Sequence, residues 1–344
     1  MGTKMKYQFG LCGAFDFDEK ATGGQSVKTR EFYYALCDEI GKDNVVILES
    51  TGYRKNPFIF LARFLRMFRK CEKVIVFPAQ NGIKVFAPLC FFFSGKCKVY
   101  YSVIGGWLPK LAKENPKLKK YLSGFESILV ETNVMRAQLA NEGISNTYRL
   151  LNFKRLSPQN IIRETEIPLR LCYFSRVLEE KGIEDAIDAM KRINRDSCKC
   201  IFDIYGPVVD GYAERFNALM KEFPVNIRYK GVIDPSDSIK VIGEYDVQLF
   251  PTHYATEGIP GSIVDSYYAG VPVIASRWNS FSDVVIDKVT GIGFELGNAE
   301  ELTECIEWAI DHPADILDMK RNCLEEAKKY SPHSVLSDLF KYME

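Results

Sequence analysis

The sequence predicts an α/β protein of two doubly wound domains, each a parallel sheet with helices on both faces. Short apolar runs alternate with amphipathic segments from one end of the chain to the other, the pattern of strands feeding crossover helices. The alternation breaks once, at the polar stretch Lys154 to Pro168, whose charges and two prolines, Pro158 and Pro168, read as a linker. A length of 344 residues also exceeds what one hydrophobic core ordinarily serves.

The first domain is placed at residues 1–157, with strands at 7–12, 45–48, 73–77, 98–103, 127–130 and 147–150. Helical patterns lie between them at 25–40, 58–71 and 133–141. The second domain is placed at 158–331, with strands at 169–174, 200–205, 226–229, 247–250 and 271–275. Such domains bind ligands at the carboxyl ends of their strands, here in a cleft expected between them.

Formal charge is zero overall, from 45 basic and 45 acidic residues, but it is divided unevenly. Residues 1–160 carry 25 Lys and Arg against 13 Asp and Glu, and the remainder carry 20 against 32. A basic first half points to an anionic partner such as a phospholipid surface, a lipid phosphate or nucleic acid. The ten cysteines form no C-x-x-C pair, which fits reduced, buried thiols in a cytoplasm better than disulfides or zinc. Cys198 and Cys200 fall in an apolar alternation and read as strand positions. The three histidines, His253, His312 and His333, show no metal-ligand spacing. No signal peptide is recognisable, and the most apolar run, 85–93, is far short of the roughly 20 residues a spanning helix needs. The expectation is a soluble or peripheral cytoplasmic protein without a metal.

The densest chemistry lies at Thr252 to Ser276, THYATEGIPGSIVDSYYAGVPVIAS. An apolar strand runs into Glu257-Gly258-Ile259-Pro260 and then a helix. Pro260 suits the first helical turn, Gly270 the C-terminal cap, and Pro272 blocks continuation. Free amides at such a helix start suit a phosphate or an oxyanion. Glu257 and Asp265 are eight positions apart, about 12 Å along an axis if both were helical. That separation suits two polar ends of one extended ligand. The residues alone fit an ordinary cap and surface pair equally well.

The segment resembles the signature of family-4 glycosyltransferases, which have the GT-B fold: two Rossmann-like domains facing across a cleft. Their motif is E-x7-E, usually EGxPxxxxEAxAxGxPVIAS. Here Glu257 is the first acid and Asp265 stands at the second, keeping the carboxylate with one methylene less reach. The resemblance implies that Glu257 contacts the donor sugar and Asp265 the ribose hydroxyls, with Gly258, Ile259, Pro260 and Ser262 lining the donor site.

A second segment, Leu171 to Ile183, reads LCYFSRVLEEKGI. In isolation it is a strand-to-helix turn with two solvated cations. It matches the family's S/G-R-x-x-x-x-K-G pattern, which implies that Arg176 and Lys181 grip the donor diphosphate. Cations there stabilise the charge developing on a diphosphate leaving group. Gly24, in Thr22-Gly23-Gly24, matches a glycine pair that faces the donor from the first domain. Gly206, Val232 and Ile233 fall where the family places the diphosphate and the base, although plain turns fit them as well. Asp16-Phe17-Asp18 reads as an ordinary acidic loop.

Many relatives carry a histidine in the first domain near the donor sugar, and this chain has none before His253. The equivalent segment is Ser102 to Trp107, where a strand breaks into a glycine turn; either the histidine's role is absent or backbone groups near Gly105 replace it, and Gly105, Gly106 and Trp107 are the acceptor-side candidates. The resemblance further implies a helix at 332–344 rejoining the first domain. It also implies a retaining, metal-independent transfer from a nucleotide-sugar, with UDP as the expected nucleotide, to a lipid-linked or polysaccharide acceptor in bacterial surface polysaccharide synthesis.

The segment Arg54 to Lys70 gathers Phe60, Leu61, Phe64, Leu65 and Phe68 on one helical face. Arg63, Arg66, Arg69 and Lys70 share the other. It reads either as a helix on an anionic membrane or as an outer helix with its phenylalanines on the sheet. Lys110, Lys113, Lys117, Lys119 and Lys120 form a second basic patch. A non-catalytic nucleotide-sugar-binding protein is the alternative, opposed by the intact Glu257, Arg176 and Lys181. No nucleic-acid motif is present, and a dehydrogenase is disfavoured because G-x-G-x-x-G is missing after the first strand.

Overall fold

The computed structural model describes residues 7–17, 24–159 and 162–344. The chain forms two compact units. One contains the residues up to Arg155 and regains the chain from Pro332 onward; the other is Leu156–Ser331.

The first unit holds β1 (Tyr7–Gly13), β2 (Val45–Glu49), β3 (Cys71–Val76), β4 (Lys98–Ser102), β5 (Ser127–Val130) and β6 (Thr147–Arg149). Its helices are α1 (Gly24–Ile40), α2 (Pro57–Lys70), α3 (Gln80–Phe93), α4 (Leu108–Glu114), α5 (Pro116–Leu122) and α6 (Asn133–Asn141). The sheet is parallel, in the order β2-β1-β3-β4-β5-β6. Side chains alternate across it, as the pleat requires. Cys12, Val74 and Val76 meet the layer of α2, α3, α4, α5 and α6, whereas Phe9, Leu11 and Ile75 meet α1. The C-terminal helix, Pro332–Met343, joins α1 on that second face and buries Val335, Leu336, Leu339 and Met343. Burial of four such side chains contributes roughly 1.5–3 kcal/mol each toward holding this helix on the unit.

In α2 the phenylalanine face is core. Phe60, Phe64, Met67 and Phe68 are buried, and Phe60 and Phe64 pack against Phe86 of α3 with ring centroids 5.8 and 5.5 Å apart. The outer-helix alternative therefore holds for the aromatic stripe. Arg63, Arg66 and Arg69 remain exposed. The apolar run at 85–93 lies within α3. Among the described residues no helix is long and apolar enough to cross a membrane.

The second unit holds β7 (Leu169–Phe174), β8 (Cys200–Tyr205), β9 (Ile227–Gly231), β10 (Val247–Phe250), β11 (Val273–Ser276) and β12 (Gly291–Phe294). Its helices are α7 (Ile183–Ile193), α8 (Ala213–Met220), α9 (Ser238–Ile242), α10 (Gly261–Tyr268), α11 (Ala299–Asp311) and α12 (Pro313–Ala327). The parallel order is β12-β11-β10-β7-β8-β9. Counted from β7 this is the 3-2-1-4-5-6 arrangement of nucleotide-binding sheets, with its topological switch point between β7 and β10. The sequence reading lacked β12, whose Gly-Ile-Gly-Phe carries little strand propensity and is drawn in by pairing with β11. It also began β11 two residues early, because Val271 and Pro272 serve the stop of α10. Cys198 lies before β8 and is exposed; only Cys200 is in the strand.

At the amino ends of these strands Lys320 and Asp246, each 1% exposed, pair at 2.7 Å. Lys320 Nζ also donates to Arg163 O at 2.9 Å, and Asp246 accepts the amide of Arg170 at 2.9 Å. This charged staple fixes the approach to β7 from within the unit.

Candidate functional site

The switch point of the second unit gathers the two segments singled out in the sequence. After β7 the chain passes Ser175 and Arg176, makes a single turn at Glu179–Lys181, and enters α7 through Gly182. After β10 it runs through Thr252–Pro260 into α10. Gly182 makes their approach possible. Its φ is +69°, and a Cβ there would lie 1.8 Å from Pro251 O. His253 adds a backbone bond to Glu180 O at 2.9 Å and a ring contact, Nε2 to Asp185 Oδ2, at 2.7 Å.

Lys181 and Glu257 meet across this junction as an ion pair, their side chains 10% and 17% exposed. The ammonium also lies 5.2 Å from the ring centroids of both Phe250 and Tyr254. Thr252 Oγ1 donates to Glu257 Oε1 at 3.1 Å and accepts from Tyr254 N at 3.2 Å. Ser276 Oγ donates to Thr252 O at 2.6 Å, tying the loop to the end of β11. Glu257 is therefore a held carboxylate. Thr252, Phe250 and Tyr254 had no role in the sequence reading; Thr252 was visible as a hydroxyl five positions before Glu257, but only the fold shows it turned onto the carboxylate.

Arg176 is exposed, and no side-chain partner is recorded for it among the described residues. Its backbone is fixed from below by Tyr173, whose hydroxyl donates to Arg176 O at 2.8 Å. Burial pushes that phenol well above its ordinary range, so it remains a donor. Gly206 lies beside this turn with φ +128°, and a Cβ there would stand 1.9 Å from Ser175 O. Gly206 N donates to Gly231 O at 2.9 Å, and Tyr229 Oη donates to Gly206 O at 2.9 Å. These bonds join the ends of β8 and β9, and Ser175 N, donating to Tyr205 O at 3.2 Å, ties in the end of β7. Val232 and Ile233 follow β9, Val232 being exposed.

Pro260 precedes α10 rather than occupying its first turn. Its ψ of 125° is extended, and its carbonyl accepts from Ile263 N and Val264 N, the role of an N-cap. Gly258 and Ile259 are buried beside it, and Ser262 is half-buried in the first turn. Asp265 is 2% exposed, one turn further. Since Glu257 lies in the loop, the helical spacing of the two acids does not apply. Gly270, at φ +66°, ends α10: Gly270 N donates to Tyr267 O and Val271 N to Ser266 O, a Schellman closure.

In the first unit, α1 begins at Gly24; Thr22, Gly23 and Asp18 lie outside the described residues. Gln25 Nε2 donates to Phe77 O at 2.9 Å and Lys28 Nζ to Val103 O at 3.2 Å. The start of α1 thus sits at the carboxyl ends of β3 and β4. Lys28 also pairs with Glu131 after β5, with side chains 10% and 4% exposed. This buried pair was not anticipated, since the two residues are far apart in sequence and neither lies in a recognised motif. Gly105 turns at φ +81°, and Trp107 donates its indole N–H to Ile104 O at 2.8 Å. That bond leaves the ring, not the N–H, for any ligand. Among the described residues no three His, Cys, Asp or Glu gather as metal ligands.

Two Rossmann-like units of this kind constitute a GT-B fold. The chain belongs to the family described as glycosyl transferases group 1, whose match spans residues 157–330 and so takes in every site segment of the second unit. It is 25% identical over 153 residues to a glycogen synthase of Mycobacterium tuberculosis, an overlap of 43% of this chain and 35% of that protein. The chain thus spans only about a third of that relative. It is 25% identical over 294 residues to an uncharacterized 41.2 kDa protein in the cps region of Klebsiella pneumoniae, covering 82% of this chain and 76% of that one. Among solved structures, Alr3699/HepE of Anabaena in complex with UDP and glucose superposes with a TM-score of 0.76 at 12% identity, over 98% of this chain and 99% of that one.

Proposed function

We propose that the protein is a retaining, metal-independent glycosyltransferase of the family-4 type, taking its sugar from a UDP-sugar and delivering it to a lipid-linked or polysaccharide acceptor in bacterial surface polysaccharide synthesis. The observation that carries this is the meeting of Lys181 and Glu257 at the switch point of a nucleotide-binding sheet, beside the open Arg176. Arg176 and Lys181 would neutralise the diphosphate as its bond to the sugar breaks. Glu257, steadied by Thr252, would hold the sugar hydroxyls, and Asp265 the ribose. Gly206, Val232 and Ile233 would border the diphosphate and base, and the Gly258–Ser262 stretch the donor. With no covalent intermediate, the departing phosphate takes the acceptor proton on the same face. The cations do the work that a metal does elsewhere. In the first unit, Gly24 is assigned to the donor and Gly105, Gly106 and Trp107 to the acceptor. The basic charge of this unit supports docking on the anionic inner face of the cell membrane, where a lipid-carried acceptor would be found.

The test is a thermal-shift screen against nucleotide-sugars, followed by transfer measured as nucleotide release in excess chelator. A donor at 100 times its Kd stabilises by about 2.7 kcal/mol. A UDP-sugar should raise the melting temperature and turn over without added metal. Stabilisation without turnover over a broad acceptor set would favour the non-catalytic binder instead.

A further inference from the structure

Resting on the reading that the first unit docks on an anionic membrane, we infer that the docking surface is the end of α3 together with α5, centred on Phe92, Phe93, Lys117 and Lys120, and not the arginine face of α2.

Phe92 and Phe93 are 64% and 51% exposed, while the phenylalanines of α2 at 60, 64 and 68 are all buried. Side chains of that size normally stay out of water, so two adjacent ones left outside mark a contact surface. They are not loose. Phe92 stacks edge-on to Phe91 at 5.2 Å and to Tyr121 of α5 at 5.9 Å, and Phe91 lies 5.6 Å from Tyr121. Lys120 Nζ stands 6.0 Å from the Phe91 ring, and Lys117 lies one turn before Tyr121. Both lysines are exposed, and neither has an ion-pair partner recorded among the described residues.

The surrounding charge decides what covers this surface. Residues 79–125, which include α3, α4 and α5, carry eight lysines and one acid, Glu114. Protein–protein contacts are depleted in lysine. An anionic bilayer accepts aromatic rings at headgroup depth and attracts lysines around them, whose stems lie along the apolar boundary while the ammonium reaches phosphate. The α2 face has Arg63, Arg66 and Arg69 outward and an exposed apolar pair at its start, Phe58 and Ile59, with Ile59 one turn before Arg63. Among the described residues Phe58 has no ring neighbour recorded, whereas Phe92 is held against Phe91 and Tyr121, so only the α3–α5 surface presents a fixed aromatic platform beside its lysines.

The experiment is sedimentation of the full chain with phosphatidylglycerol–phosphatidylcholine vesicles, comparing wild type with two variants. One is F92S/F93S/K117Q/K120Q; the other is R63Q/R66Q/R69Q. All the changed residues are exposed, and unchanged melting temperatures establish that both variants fold. The first variant should lose about tenfold or more in vesicle affinity and the second less than about threefold. In F93W the added tryptophan emission should shift to shorter wavelength on anionic vesicles. The reverse order of losses overturns this inference and leaves membrane docking standing. Failure of wild type to bind anionic vesicles at low salt sinks both. Binding of a single-stranded oligonucleotide in place of vesicles would make the surface a nucleic-acid face, and the inference is then wrong.

Discussion

Replacing Lys181 by Met keeps the aliphatic stem between Phe250 and Tyr254 but removes the charge facing Glu257. The two side chains are 10% and 17% exposed, so the carboxylate would be left largely out of water with Thr252 as its recorded hydrogen-bond donor. Breaking a buried pair from one side costs about 3–5 kcal/mol, and residual exposure argues for the lower figure. The melting temperature of a unit this size should fall by roughly 6–12 °C. E257Q strands the ammonium similarly. In K181M/E257Q both charges are gone, and about 1 kcal/mol or more of the summed loss should be regained. Denaturant unfolding of the four proteins measures this coupling. Additivity within about 0.5 kcal/mol would show that the pair does not exist in solution. Turnover in K181M and K181M/E257Q should fall by on the order of 10²–10³, because the charge stabilising the leaving diphosphate is missing, and E257Q should also lose turnover, because the carboxylate assigned to the sugar hydroxyls is gone. A K181M enzyme with normal turnover would remove the cation from the mechanism, whatever its stability.

Other perturbations separate binding from folding. R176A should lose turnover by a similar factor, on the order of 10², with an unchanged melting temperature, since the guanidinium is exposed and has no side-chain partner recorded; a falling melting temperature would mean it is structural. G206A should destabilise by more than about 1 kcal/mol and weaken nucleotide binding, because its Cβ would force Ser175 and Arg176 outward; unaltered binding by calorimetry would contradict this. K320M should cost about 3–5 kcal/mol by stranding Asp246, and K320M/D246N should recover part of it; a neutral K320M would refute the staple.

Much of the fold was readable because both sheets announce themselves by composition. Strands such as Leu169–Phe174 and Cys200–Tyr205 are mainly apolar, with Arg170 and Asp203 as the charged exceptions, and their boundaries agree with the sequence reading. The sequence also marked Gly270 and Pro272 as the stop of α10, because left-handed φ and a missing amide are local properties. Less was readable where partners are distant. Gly291–Phe294 becomes a strand only beside β11. The aromatic face of α2 had two physical outcomes, lipid or sheet, and packing on Phe86 decides between them. The site was half legible. Arg176, Lys181 and Glu257 could be named as candidates from the resemblance of their segments to the family's motifs, but not that Glu257 is paired with Lys181 and held by Thr252. That arrangement depends on Gly182 allowing one loop onto the other, a contact between residues some seventy positions apart.

The central claim is that the β7–β10 switch point of the second unit binds a nucleoside diphosphate through Arg176 and Lys181. Calorimetric titration of UDP into the full chain, with chelator present, tests it most directly. Wild type should bind with one site per chain, and R176A/K181M should lose about a hundredfold or more in affinity, each lost charge-assisted contact being worth roughly 1.5–3 kcal/mol. Wild-type binding that the double variant retains undiminished would contradict the claim.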